Sequence, residues 1–404
     1  MLFLIQAAGD AVPVEHPQTT FHPVTDFGVT LNELFANTFW WTMSILALVV
    51  ILTLVIAIRF REKPGDAQPK AIHGHTLLEI GWTLIPAIIV IFLTIPTVKV
   101  IFETQAKPPA DALTVEVIGH QWWWEFRYPE EGVVTANELW VPVGRPIHLV
   151  MHSADVIHSF WIPRLGGKRD VNPIPRGTQG EKDKRNHLMF TMTDSGSFSG
   201  QCAEFCGESH AIMRVSARAV SADHFQQWVN AMKPAGPVVA PTGENATQIA
   251  MQSNTSATTP VAPQQNAAGQ QPAAAQAPAL DLDQLPAPTG IGSAVRPEIS
   301  AEQWAAAGRK VFESSMCVAC HTIAGTPAAG VLGPNLTRFG ARPTVGAGAA
   351  PNNMDNLQRW IHEPQSLKPG ALMPGAVHGI GDQAPTGLSS REIYAVASYL
   401  MSLK

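Results

Sequence analysis

Two stretches of the chain lack charge altogether. Asn37 to Ile58 contains no charged residue, and neither does Ile80 to Val98. A helix crossing a hydrocarbon core needs about 20 mainly apolar residues, so each stretch predicts a spanning helix. Pro86 and Pro96 fall in the second, and membrane helices tolerate proline. The alternative is a pair of helices buried in a soluble core. It fits poorly, because uninterrupted apolar runs of this length are the membrane pattern. Beyond Pro108-Pro109 the pattern shortens. Leu113 to Ile118, Trp122 to Arg127, Glu138 to Val143, Ile147 to Met151, His187 to Met192 and Met213 to Val220 read as strands, several of them separated by Gly, Pro or Asn. Many short strands with turn signals predict a sandwich or barrel. Near the C-terminus the period becomes helical. Ser300 and Gln303 form a capping box, followed by an apolar face of Trp304, Ala307, Gly308, Val311 and Phe312. Ser389 and Glu392 form a second box before Ile393, Val396, Ala397, Leu400 and Met401. The two faces are expected to pack on each other, with Gly308 permitting close approach.

Residues 233–296 show neither period. They are rich in Ala, Pro, Gln, Thr and Asn and poor in aromatics. Such a segment buries too little apolar surface to offset its ordering entropy. It is expected to be a disordered tether with an rms span of about 40 Å. The chain therefore divides into a lead-in (1–36), a transmembrane helical hairpin (37–106), an all-β domain (107–232), a flexible linker (233–296) and an all-α domain (297–404). The fold class is a multidomain membrane protein.

Charge orients this plan. The formal net charge of −5 gives no footprint for nucleic acid. No Lys or Arg precedes the first span, whereas the loop between the spans carries Arg59, Arg61, Lys63 and Lys70. Basic loops stay in the cytoplasm. Both termini and everything after about residue 100 are therefore expected outside. Met1 to Ile5 is apolar but too short, and lacks the basic residues, for a full secretory signal.

All four cysteines lie in two metal-chemistry motifs. Cys202 and Cys206 are followed by His210 and Met213, and thiolate, imidazole and thioether together suit copper. His158, in Asp155-Val156-Ile157-His158, is the candidate second imidazole. A Cys202–Cys206 disulfide and a zinc site compete with this reading, although zinc makes poor use of Met213. The second motif, Cys317-Val318-Ala319-Cys320-His321, is the pattern of covalent c-type haem attachment. A redox Cys-x-x-Cys is the alternative, but it expects a βαβ setting, and this motif follows a helix. Met373, in Leu372-Met373-Pro374, is the candidate distal iron ligand. Met354 and Met401 are weaker candidates. A Met/His pair raises the reduction potential. The other eleven of the 14 histidines, among them His120, His148 and His152, have no such setting.

With these motifs in place, the region from the hairpin to residue 232 resembles subunit II of haem-copper cytochrome c oxidases. Gly200-Gln201-Cys202-Ala203-Glu204-Phe205-Cys206-Gly207, ending in His210 and Met213, is similar to that family's dinuclear CuA loop. The resemblance implies a cupredoxin-like sandwich in which Cys202 and Cys206 bridge two coppers and His158 and His210 each terminate one. Met213 and the Glu204 carbonyl would be the weak axial ligands, and the Glu204 side chain would reach a Mg²⁺ ion shared with the catalytic subunit. Gly119-His120-Gln121-Trp122-Trp123-Trp124 resembles the aromatic stretch through which electrons arrive, with Trp122 at the input position. The family commonly has Tyr where Trp123 stands. Glu79, in Glu79-Ile80-Gly81-Trp82, aligns with a proton-uptake glutamate. The Gly167-Lys168-Arg169-Asp170 loop departs from the family pattern, which leaves Asp170 and Arg176 without a role carried over. Residues 297–404 resemble a class I cytochrome c, including Gly333-Pro334-Asn335-Leu336, whose proline supports the proximal histidine.

The resemblance implies an electron-input subunit of a respiratory oxidase. Electrons would pass from the fused haem to CuA and on to the haem a and CuB centre of subunit I, where oxygen is reduced and protons are translocated. This chain alone would not catalyse that reduction. Expected partners are subunits I and III, membrane lipid, and a donor that is either a cytochrome c or a quinol:cytochrome c oxidoreductase. The expected location is a bacterial inner membrane with both redox domains periplasmic. A CuA-bearing nitric oxide reductase and a copper carrier are the rival readings. Partner genes separate the first, and the second has no use for a haem. Quinol oxidase subunits lack the copper ligands present here.

Overall fold

The computed structural model describes residues 15–65, 74–105, 107–174, 185–233, 282 and 299–404. The expected tether (233–296), apart from Lys233 and Leu282, lies outside the described residues. So do the start of the lead-in, Lys70, and Arg176 with residues 181–184.

Both apolar stretches are helices, longer than their charge-free cores. α1 runs Asp26–Arg59 and α2 runs Thr76–Thr104, with Pro86 and Pro96 inside it. At ~1.5 Å per residue each exceeds the roughly 30 Å of a hydrocarbon core. Their apolar side chains face outward, as at Trp40, Leu46, Ile58 and Phe92. α1 begins where its N-cap ties it to the β-domain. The Thr25 hydroxyl accepts from Gly28 N at 2.8 Å and donates to Leu165 O at 2.6 Å. Asp26 Oδ1 accepts from Thr191 N at 2.7 Å.

The next strands are β2 (Leu113–His120), β3 (Trp123–Tyr128), β4 (Val133–Ala136), β5 (Glu138–Pro142), β6 (Pro146–Ser153), β7 (His158–Trp161), β8 (Arg169–Val171), β9 (Asn186–Thr191), β10 (Gly196–Cys202) and β11 (Arg214–Val220), after a short β1 (Glu15–His16). One sheet orders β5-β11-β10-β7-β8, with β1 on β10; the other orders β4-β3-β2-β6-β9. Alternation explains the inward faces: Leu113, Val115 and Val117 on β2, and Ile147, Leu149 and Met151 on β6, are all fully buried. The sequence pattern found six of these eleven strands and missed β1, β4, β7, β8 and β10, which are short or carry polar and glycine residues. Trp122 precedes β3 in a turn instead of opening the strand. A helix also follows the last strand, at Ala222–Met232. Its buried Phe225, Trp228, Val229 and Met232 keep helical spacing, and Trp228 meets Tyr128 edge-on at 5.3 Å.

The C-terminal domain is helical. Helices span Ala301–Ser314, Met354–His362 and Ser390–Ser402, with one turn at Cys317–Cys320. Both expected capping boxes are formed. Phe312, Ile393, Val396, Ala397 and Leu400 share one core, and Trp304, Ala307, Tyr394 and Ala395 a second. Met354 and Met401 pack against these cores, which accounts for them without a ligand role. By compactness, residues 120–137, 206–214 and 226–404 form one unit, and residues 1–119, 138–205 and 215–225 another.

Gly308 carries the helix crossing. A Cβ there would lie 1.8 Å from the Ala395 carbonyl oxygen. Gly308→Ala is therefore expected to destabilise the C-terminal domain by about 1–3 kcal/mol through overpacking, despite alanine's better helix propensity. Thermal unfolding of the full chain by circular dichroism, with a lowered transition for this domain, checks it.

Candidate metal centres

The first site begins with strand pairing. β10 and β7 are antiparallel with Cys202 opposite Phe160 and Gln201 opposite Trp161, and Ala203 N donates to Ser159 O at 2.9 Å. This lays the His158 strand beside Cys202. His158 is fully buried, and its Nδ1 lies 3.9 Å from Cys202 Sγ. Its Nε2 is 2.9 Å from Asp155 Oδ1, so Asp155 orients the ring and leaves Nδ1 for a metal. Gly119 makes room, since a Cβ there would lie 2.6 Å from the imidazole. Burial opposes a charge on His158, but the hydrogen bonds to Asp155 and Cys202 outweigh it and raise its pKa.

The second half repeats this arrangement. Cys206 Sγ lies 3.5 Å from His210 Nδ1 and 3.8 Å from Met213 Sδ. A short 3₁₀ turn, His210–Ile212, sets that spacing. Cys202 Sγ is 3.2 Å from the Glu204 carbonyl oxygen. His158, Cys202 and Cys206, all buried, bring one ligand atom each within 4.8 Å of one another. No disulfide joins Cys202 to Cys206; each sulfur instead lies against an imidazole. The donor set of thiols, imidazoles, thioether and carbonyl fits copper and leaves zinc little use for Met213. The Glu204 side chain is exposed on the same loop.

Beside this half stands Trp122, which is 8% exposed and donates from Nε1 to Cys206 O at 3.0 Å. Gln121 Nε2 donates to the same oxygen at 2.7 Å. His120 stacks on Trp123 at 4.2 Å and is hydrogen bonded to Glu125. His148 pairs with His187 across β6 and β9 at 2.9 Å. These histidines thus have strand roles, as their sequence setting indicated. At the start of α2, Glu79 accepts from His75 N at 3.2 Å.

The haem-type motif is built on a turn. His321 Nδ1 lies 2.8 Å from Pro334 O, the support expected of Gly333-Pro334. A Cβ on Gly333 would lie 2.6 Å from His321 Cε1, so only glycine lets the loop close on the ring. Burial lowers the His321 pKa and the Arg342 guanidinium adds to this, against the Pro334 carbonyl. A neutral imidazole with Nδ1 occupied offers Nε2 to iron. Cys317 and Cys320 are free and half-buried, which fits covalent attachment to haem. Met373 is half-buried.

Two residues escaped the sequence reading. Asp155 was legible in principle, as a carboxylate three residues before the candidate ligand. Lys368 gave no such signal. Its Nζ donates to Trp122 O at 2.5 Å, Gly346 O at 2.7 Å and Ile212 O at 3.2 Å. Burial pushes it down to about 7, against the pull of Cys206.

Comparison with known proteins follows the same division. The family model described as "Cytochrome C oxidase subunit II, transmembrane domain" matches residues 26–100, and that for its "periplasmic domain" matches 132–220. "Cytochrome c" matches residues 305–404. "Cytochrome c oxidase subunit 2" of Alkalihalophilus pseudofirmus is 33% identical over 369 residues, covering 90% of this chain and 84% of its own length. The same-named protein of Bacillus sp. (strain PS3) is 32% identical, covering 85% of this chain and 80% of its own. "Quinol oxidase subunit 2" of Bacillus cereus is 36% identical but covers only 51% of this chain and 69% of its own. Among solved structures, the periplasmic domain of subunit II of cytochrome oxidase from Bradyrhizobium japonicum is 32% identical, covering 31% of this chain and 95% of that one, with a TM-score of 0.28.

Asp155→Asn keeps the shape and weakens the acceptor for His158 Nε2. Loss of such an orienting partner is expected to lower copper affinity by about 10–100-fold, measured by chelator competition on the apo chain. Copper must displace the proton that the raised His158 pKa retains. Affinity in both proteins should therefore fall as pH drops through the imidazole range, and the fall should be shallower in Asp155→Asn.

Proposed function

The chain belongs to the cytochrome c oxidase subunit II family and carries a fused cytochrome c domain, and from that premise we propose how its residues serve as the electron-input subunit of a haem-copper oxidase. It is a membrane protein that associates with subunit I, and it carries copper and haem. When bound, these groups supply the one-electron couples through which subunit I is reduced. The observation that carries the reading is the paired geometry of the copper loop: each cysteine sulfur lies against its own imidazole nitrogen, Cys202 with His158 and Cys206 with His210.

Cys202, Cys206, His158, His210, Met213 and the Glu204 carbonyl would hold the copper, which would supply a one-electron couple there. Asp155 and the β7–β10 ladder hold His158 in a buried setting, which limits ligand movement between redox states. Cys317, Cys320, His321 and Met373 would hold the haem, with His321 Nδ1 kept on the Pro334 carbonyl. Trp122, hydrogen bonded to the Cys206 carbonyl, is the input residue for the copper site. The exposed Glu204 carboxylate would be the residue of this loop to hold a Mg²⁺ ion shared with subunit I. The ligand loops also expose Val156, Ile157 and Phe205, an apolar surface suited to that partner.

α1 and α2 anchor the chain in a bacterial inner membrane, with Arg59, Arg61 and Lys63 on the cytoplasmic side and both redox domains periplasmic. Glu79, at the cytoplasmic start of α2, is the proton-uptake carboxylate. A quinol oxidase role is disfavoured by the copper donors, and because those relatives align with about half of this chain. Subunit III and a cytochrome c or quinol:cytochrome c oxidoreductase complete the partner set.

Metal analysis and spectra of the purified chain test this. The expected result is two coppers and one covalent c-type haem per chain, with a mixed-valence near-infrared band. His321→Ala should abolish the low-spin haem spectrum and leave the near-infrared band. One zinc, or a single copper per chain, contradicts the assignment.

A further inference from the structure

The buried amine of Lys368 has no carboxylate partner among the described residues, unlike the buried Arg218, which pairs with Glu138. It is 3% exposed and donates to three backbone carbonyls. A lysine is almost never buried this fully unless it is paired, and three acceptors match the three donors of an ammonium. The acceptors come from separate segments. Trp122 and Ile212 flank the copper half-site, and Gly346 belongs to the haem domain. A residue that only filled space there would be apolar. Three directed bonds instead hold one orientation of the haem domain on the 206–214 segment.

Other contacts in the same compact unit agree. The Ser209 hydroxyl donates to Pro369 O at 2.5 Å, and Arg214 N donates to Ala347 O at 2.9 Å. The haem-domain loop that reaches Arg214 is left-handed at Gly346, Ala347 and Gly348, with φ of 61°, 58° and 94°. A Cβ on Gly348 would lie 2.4 Å from Arg214 Cγ. Gly370, with φ of 77°, presents bare backbone to the indole, and a Cβ there would lie 2.5 Å from Trp122 Cη2. Backbone thus covers the tryptophan edge.

We propose that Lys368 is a positioning residue that pins the fused haem domain over Trp122, so that an external cytochrome delivers electrons to this haem domain and not directly to the copper loop. The inference rests on the electron-input reading above. The covering surface is this chain's own residues 346–348 and 368–370. The step it protects moves one electron from the reduced haem to the copper pair, with no atom transferred.

The test uses the assembled oxidase with wild-type chain, with Lys368→Met, which keeps the apolar stem and removes the donors, and with Ser209→Ala, which removes one hydroxyl. Amide hydrogen exchange at Arg214 reads the bond to Ala347. It should quicken by about tenfold or more in Lys368→Met, as expected for losing several charge-assisted bonds, and by less in Ser209→Ala. The Soret-monitored melting of the haem domain should not move, which separates positioning from folding. On rapid mixing with a reduced soluble c-type cytochrome, wild-type copper should be reduced only after the covalent haem, and Lys368→Met should lose that lag. Equal Arg214 exchange in all three proteins, or wild-type copper reduced ahead of the haem, overturns the proposal. Exchange reads docking whether or not copper is loaded, so a failure of the metal assignment would appear in stoichiometry alone and be told apart.

Discussion

Soft donors held out of water are the constraint on which this protein depends. Cys202 and Cys206 are each 3% exposed, and His158 and Met213 are fully buried. A buried polar or ionisable group is costly unless something compensates it, and a dry set of sulfur and imidazole donors is best compensated by a soft cation. The surrounding structure serves that set. The β7–β10 ladder aligns His158 with Cys202, Asp155 fixes the ring, Gly119 clears its space, and the turn at His210–Ile212 brings His210 and Met213 back to Cys206.

The same logic separates the two redox domains. In the copper loop, donors from distant segments meet, so a whole β-domain must fold before the site exists. The haem motif is local in sequence, with two cysteines and a histidine on one turn, and its distant help is the Pro334 carbonyl and the bare backbone of Gly333. A short covalent motif needs only a small helical domain, whose two capped helices cross at Gly308. Carrying such a domain on the same chain raises its effective concentration at the copper loop. In the proposal above, Lys368 converts that proximity into orientation.

Much of this was legible in the residues. The absence of charge marked both helices of the hairpin, because a bilayer imposes composition over a fixed length. The capping boxes at Ser300 and Ser389 and the crossing at Gly308 were readable because helix chemistry is local. Cys202, Cys206, His210 and Met213 were readable because one loop carries them. β10 was not, since Gly196, Ser197, Ser199 and Gly200 interrupt the apolar alternation, nor was β7, which is only the four residues His158–Trp161; pairing in the folded sheet makes strands of both. The helix Ala222–Met232 was written in the spacing of Phe225, Trp228, Val229 and Met232 but was masked by the strand pattern before it. Lys368 was invisible for a different reason. Its partners are backbone carbonyls at Trp122, Ile212 and Gly346, and backbone acceptors leave no trace in side-chain identity.

The central claim is that this chain passes electrons internally, from its own haem domain to its own copper loop. The most direct measurement is transient absorption after rapid reduction of the covalent haem in the assembled oxidase, following the haem and near-infrared bands together. The account predicts that haem oxidation and copper reduction share one first-order time constant that does not change with the concentration of the complex. A rate that rises in proportion to that concentration, as for transfer between separate molecules, would contradict it.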